Sequence, residues 1–252
     1  MASVTDISYY FLFDLAYIIL SQLFGRNSTN RASLKKFMEN IEIINTQPRH
    51  GSAIYDVIRL AYGGTLDEVC ETCLDEDAVL EQIAKFPEGQ FVAVTTVDGK
   101  EFVVGMAATM RTNVPPTAPP KSWFDAIGSL KIANHDPNGE WLYGVEASVR
   151  LDYQGRGIGV ALYDARFDLV KRLNLRGWYA GGMLAGYYRY CDQMSAETYA
   201  QKVMDREIED PTVTMQMNRG FEAWGLIENY LVEAQGESNA MLIVWKNPDF
   251  KE

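Results

Sequence analysis

The chain has 252 residues, enough for one or two domains at about 150 residues each. An apolar fraction of 47% and a charged fraction of 23% allow a buried core, which excludes wholesale disorder. Twenty-three Lys and Arg against 34 Asp and Glu leave a net charge of −11. An acidic surface repels phosphate backbones, so nucleic-acid binding is not expected.

The three cysteines, Cys70, Cys73 and Cys191, cannot build a disulfide scaffold, and their odd number fits a reducing, cytoplasmic setting. Cys70-Glu-Thr-Cys73 has the spacing of a metal or redox pair. No second pair occurs, and His50 and His135 lack ligand-like spacing, so two cysteines on one helix is the reading and no metal is expected.

The apolar stretch 7–24 is interrupted by Asp14 and ends at Ser21-Gln22; it has neither the length of a membrane span nor a signal peptide's basic start. A helix that is buried or forms a homodimer is expected there, within an N-terminal extension of residues 1–40. Ile41–Asn45 reads as a short strand and Ala53–Ala61 as a helix, with Ile54, Val57, Ile58 and Ala61 on one face. Thr65 and Glu68 form a capping-box pattern for a helix over 66–85. Gln90–Val97 and Glu101–Met110 are strands joined by the hairpin turn Asp98-Gly99. Four prolines make 113–120 a loop.

Trp141–Val149 is a strand, and a helix follows on the apolar stripe Ile158, Leu162, Ala165, Leu169 and Leu173. Beyond it come a strand over 178–184, a tyrosine-rich loop over 186–192 and a helix over 195–207. Asp210-Pro211 starts a short helix that Gly220 ends. Two closing strands, 221–232 and 240–245, are joined by a turn over 235–239.

The chemistry lies in the strand–glycine–helix unit 141–173. Glycines at a helix start leave backbone N–H groups exposed at its positive end, where a diphosphate binds without needing a basic side chain. Arg156 can add a charged contact. Two nucleotide motifs fail: no Lys follows the glycines as in a Walker loop, and residue 160 is Val where a dinucleotide fingerprint needs its third glycine. The pattern that fits is Gln154-x-x-Gly157-x-Gly159, after a strand ending at Val149.

The segment VEASVRLDYQGRGIGVALYDA resembles the acyl-CoA loop, strand and helix of the GCN5-related N-acetyltransferase family, and the element order over 41–246 agrees. The resemblance implies an α/β (α+β) fold: a mixed, mostly antiparallel sheet with a splayed parallel strand pair and helices on both faces, within residues 41–252. It implies acetyl-CoA or another acyl-CoA as cofactor. The diphosphate would lie on Gln154, Gly155, Arg156, Gly157, Ile158, Gly159 and Val160. The pantetheine arm would pair with the strand edge at Ala147, Ser148 and Val149.

In such an enzyme a primary amine, on a small molecule or a protein, attacks the thioester directly. Glu146, a carboxylate in an apolar strand, is the candidate base; a structural Glu bonded to a neighbouring strand is the alternative. Backbone N–H groups near 147–149 suit the carbonyl oxygen. The family often places an acidic tyrosine four residues before the glycine of a closing Gly-Phe pair; here that position is Gln216, which cannot donate a proton as tyrosine does. Tyr188, with Tyr187 and Tyr190 beside it, is the candidate replacement; packing or lining the acceptor pocket is the simpler role for these rings. The rival to a catalyst is a non-catalytic acyl-CoA sensor. Membrane association is not expected.

Overall fold

A computed structural model describes residues 41–61, 74–233 and 236–252. The expected N-terminal helix, the Cys70/Cys73 pair and the Thr65/Glu68 capping box lie outside the described residues.

Seven strands form one sheet in the order β1-β2-β3-β4-β5-β7-β6. They are β1 (Glu42–Asn45), β2 (Gln90–Val97), β3 (Lys100–Thr112), β4 (Trp141–Val149), β5 (Gly177–Met183), β6 (Glu222–Glu233) and β7 (Gly236–Lys246). All neighbours are antiparallel except β4 and β5. The helices are α1 (Gly51–Ala61), α2 (Glu76–Lys85), α3 (Trp123–Ile127), α4 (Ile158–Arg172), α5 (Ala196–Met204) and α6 (Val213–Asn218).

The helices cover both faces, and the strand alternation shows how. Met106 of β3 lines a small cavity with Ile54 of α1 and Val79 of α2. One residue earlier, a Cβ on Gly105 would sit 3.1 Å from Ile158 Cγ2, at the start of α4. Neighbouring residues of one strand therefore meet α1 and α2 on one side and α4 on the other. On the α4 side, Trp178 packs against Tyr163 and Phe167, each at 5.2 Å between ring centroids. Ile54, Val79, Met106, Ile158, Tyr163 and Trp178 are buried and Phe167 is partly so, and burial of the two sheet faces carries the fold.

Four expectations need correction. A continuous helix over 66–85 does not exist: α2 has its own N-terminus, where Asp75 Oδ1 accepts the Ala78 N–H at 2.7 Å. An Asp side chain that satisfies this N–H competes with helical continuation, so the chain starts afresh there. The five-residue α3 was not expected. Ser122 caps it, accepting the Asp125 N–H at 3.1 Å, and Gly128 ends it with φ +72. The final hairpin is tighter than a turn over 235–239: the pairing runs from Ile227↔Ala240 through Leu231↔Ser238 to Glu233↔Gly236. β6 is the edge strand of the sheet. Finally, α6 starts at Val213, two residues beyond the expected proline. Asp210 still caps it, Oδ1 accepting from the N–H groups of Thr212 (2.8 Å) and Val213 (2.9 Å).

Candidate active site

The notch between β4 and β5 begins with a loss of pairing. The two strands share three rungs only, Trp141↔Gly177, Leu142↔Trp178 and Tyr143↔Tyr179. Beyond them each keeps its outer partner: β4 stays on β3 to Gly105↔Val149, and β5 stays on β7 to Met183↔Ala240. Two features drive the strands apart. Ala108 pairs with Glu146 but Thr109 pairs with Gly144, so Val145 is an extra residue and β4 bends. The Trp178 indole also wedges in where the rungs stop; a Cβ on Gly144 would lie 3.0 Å from its Nε1.

The splay strips backbone groups of their partners, and such groups must be satisfied elsewhere. The Arg150 N–H donates to the Val104 carbonyl at 3.0 Å. By antiparallel alternation, the backbone groups of Ala147 and Val149 then point away from β3, into the notch. Side chains meet several of the freed groups. Trp123 Nε1 donates to the Val145 carbonyl at 2.8 Å, and Gln154 Nε2 donates to the Val149 carbonyl at 3.1 Å. The Ala147 N–H donates to Oε1 of Glu146 at 3.0 Å, and Ser148 Oγ donates to the same oxygen at 2.7 Å. Glu146 is thus half-buried and bonded along its own strand, and it holds one of the N–H groups expected to serve a carbonyl oxygen.

At the mouth of the notch the loop 150–157 leads into α4. The turn Leu151–Tyr153 passes to Gly155 (φ +72) and Gly157 (φ +80), left-handed positions that favour glycine. Gly157 is the N-cap of α4 and supplies no side-chain cap, so the first-turn N–H groups of Ile158, Gly159 and Val160 keep their positive end open. Nothing lies within 4 Å of a Cβ built on Gly155 or Gly159. Arg156 folds back: its Nη2 donates to the Asp152 carbonyl at 2.8 Å, and its guanidinium stacks 4.6 Å from the Tyr153 ring centroid. An uncapped 15-residue helix with glycines in open space fits a diphosphate in its chemistry and its room.

The structure brings Glu146, Ala147, Ser148, Val149 and Gln154 together on the β4 arm. Tyr188 stands apart, in the turn Tyr187–Arg189 after β5, where its hydroxyl accepts from Arg189 Nε at 3.0 Å. Tyr187 and Tyr190 pack on the buried Tyr199, at 5.4 and 5.3 Å between centroids. Gln216 is buried and donates through Nε2 to the Tyr163 hydroxyl at 2.9 Å.

One notch residue escaped the sequence reading. Arg166 is buried, with its guanidinium carbon 4.3 Å from the ring centroids of both Tyr163 and Trp178. Its Nε donates to the Leu162 carbonyl at 3.0 Å, while Nη2 has no partner. Burial pulls its pKa down to about 10, opposed by Tyr163 and by the charge of Glu146. The available signal was its position, four residues after Leu162 on the apolar stripe of α4.

Among the described residues no helix is long and apolar enough to cross a membrane. No family model matches the chain. Two proteins of Bacillus subtilis are similar in sequence. The N-acetyltransferase YkwB, whose own function is uncharacterized, is 29% identical over 182 residues, 72% of this chain and 79% of that protein. The probable hydrolase YhcX is 28% identical over 223 residues, 88% of this chain; the chain spans only 42% of that relative's length. Among solved structures, the loading GNATL domain of CurA from Lyngbya majuscula aligns with a TM-score of 0.66, at 14% identity, over 82% of this chain and 98% of that one. The GphF GNAT-like decarboxylase, in complex with isobutyryl-CoA, aligns at 0.65 and 14% identity over 82% and 99%. YncA from Salmonella typhimurium, with its cofactor acetyl-CoA, aligns at 0.51 and 14% identity over 84% and 97%. On these likenesses and the topology of its own sheet, the chain has the GCN5-related N-acetyltransferase fold.

Proposed function

We propose that the chain is an N-acyltransferase that moves an acetyl or other acyl group from acyl-CoA to a primary amine. The observation that carries this reading is the splay beyond Tyr143↔Tyr179, opening toward an uncapped, glycine-lined helix start. First-turn N–H groups of α4 hold the diphosphate, and the freed edge of β4 at Ala147 and Val149 pairs with the pantetheine amides as an added strand would. The acyl-CoA supplies an activated thioester. Glu146 takes a proton from the acceptor's ammonium, so that the neutral amine can attack. Its carboxylate must turn from the Ala147 N–H, which frees that donor for the carbonyl oxygen. CoA leaves as the thiol with the second proton that the nitrogen gives up as the amide forms. The acceptor is a small-molecule or protein amine, and Tyr188, in the turn after β5, is a candidate to line its pocket.

A non-catalytic acyl-CoA sensor is the second reading, favoured by the amide of Gln216 in place of an acidic hydroxyl. Release of free CoA thiol with a panel of primary amines separates the two. Turnover with any amine supports the transferase; binding of acetyl-CoA with no turnover across the panel supports the sensor.

A further inference from the structure

The tip of the notch holds a pair of hydroxyls. Tyr143 is the last β4 residue paired with β5, and its Oη lies 2.5 Å from Oη of Tyr230, a β6 residue. Tyr230 crosses over β5: a Cβ on Gly181 would lie 2.3 Å from its Cζ, and the Gly181 N–H faces its hydroxyl. Gly181 is two residues past the last rung, on the arm of β5 that β4 has left. Tyr230 therefore joins the two strands at the point where they part. The charge of Glu146 reaches it.

This placement is built. Pairing of β6 with β7 jumps from Ile227↔Ala240 to Leu231↔Ser238. Within the jump Asn229 has φ +52, and its N–H donates to Asn239 Oδ1 at 2.9 Å. Asn is among the few non-glycine residues that adopt the left-handed region readily, so the residue type suits this turn of the strand. Here it turns Tyr230 inward, to 4% exposure.

Proton counting gives the pair one spare donor. Two hydroxyls carry two protons and one lies between the oxygens, so one is left to donate. Among the described residues neither hydroxyl donates to a further acceptor. With the Gly181 N–H directed at Tyr230, the arrangement in which Tyr143 donates to Tyr230 leaves the Tyr230 proton for a further acceptor.

We propose that Tyr230, polarised by Tyr143, is the hydrogen-bond donor that receives the thioester carbonyl oxygen in the notch. This rests on the transferase reading and adds a residue to it. The proton stays on the tyrosine oxygen while negative charge builds on the carbonyl oxygen and is withdrawn again as the C–S bond breaks. Burial keeps both hydroxyls neutral, Tyr230 being pushed up to about 12, so the donor is present throughout the physiological range.

The test is the infrared carbonyl stretch of 13C-acetyl-CoA bound to the wild-type chain, to Tyr230→Phe and to Tyr143→Phe, with kcat for a reactive amine measured beside it. A donor at the carbonyl lowers the stretch in the wild type. In Tyr230→Phe the stretch returns toward its value in an apolar solvent and kcat falls about 10²-fold, with acetyl-CoA affinity little changed. Tyr143→Phe, which leaves the Tyr230 proton in place, shifts the band by less than half as much. The same stretch in wild type and a folded Tyr230→Phe overturns the assignment while leaving the transferase reading intact. Failure of the wild type to bind acetyl-CoA overturns both.

Discussion

Ser148 donates its hydroxyl to Oε1 of Glu146 at 2.7 Å, the same oxygen that accepts the Ala147 N–H. The carboxylate thus reads two positions of its own strand, on the arm of β4 that has left β5. Glu146→Gln keeps the size and some of this bonding but cannot take a proton. We expect kcat to fall about 10²- to 10⁴-fold, with acetyl-CoA affinity within a factor of about three. Ser148→Ala removes one donor to the carboxylate and should cost less than a tenth of that loss. Steady-state kinetics with calorimetric binding checks both; a Glu146→Gln chain that turns over at the wild-type rate removes Glu146 from the chemistry.

Gly159 separates folding from binding. It sits in the first turn of α4, and a Cβ there meets nothing within 4 Å. Gly159→Ala should therefore hold or raise stability, by up to about 1 kcal/mol, because alanine loses less backbone entropy in a helix. The added methyl lies where a diphosphate would approach, and CoA affinity should drop about tenfold, or about 1.4 kcal/mol. Thermal melts and titration calorimetry on one preparation report the two effects in opposite directions.

Asp210, 1% exposed, accepts four hydrogen bonds: from the N–H groups of Thr212 and Val213, from the Gly186 N–H at 2.8 Å and from the Tyr199 hydroxyl at 3.0 Å. It ties the loop after β5 to α5 and to the start of α6. Asp210→Ala strands all four donors, and each buried unsatisfied group costs about 1–3 kcal/mol, so a loss of about 3 kcal/mol or more is expected. Urea unfolding should show a lower midpoint with an unchanged slope.

His135 makes stability depend on pH. Its Nδ1 accepts the Arg111 N–H at 3.1 Å, and its ring stacks on Phe86 at 5.0 Å. Burial lowers its pKa from the usual 6.5, and the Arg111 charge lowers it further. Above its ordinary value the ring is neutral folded and unfolded. Below it, the unfolded chain binds a proton that the folded chain resists, so stability falls as the pH drops beneath about 6.5. Glu101, held below the usual carboxylate range by hydrogen bonds from Arg49 and His50, contributes only at lower pH still. Urea midpoints from pH 7.5 to 5.5 should fall in the wild type and stay flatter in His135→Gln.

What the sequence made legible follows the range of the interactions. Gln90–Val97 and Trp141–Val149 match to the residue, because a largely buried strand shows locally as a short apolar run bounded by turn residues. The glycine loop was equally plain, since left-handed φ at Gly155 and Gly157 and an uncapped helix are demands on residue type. The five residues of α3 were missed because a single turn has too few periods to show. Arg166 was passed over as one charge on an apolar stripe. Tyr230 carried no local signal at all: it reaches Tyr143, 87 positions away, only through the strand order and an irregular stretch of β6.

The central claim is that backbone donors between Gln154 and Val160 grip a coenzyme diphosphate. Titration calorimetry of the full chain with CoA, acetyl-CoA and pantetheine tests it most directly. Saturable heat with both coenzymes, and binding at least about tenfold weaker for pantetheine, which lacks the diphosphate, is the predicted result. Folded protein that gives no heat with either coenzyme at millimolar concentration, or that binds pantetheine as tightly as CoA, contradicts it.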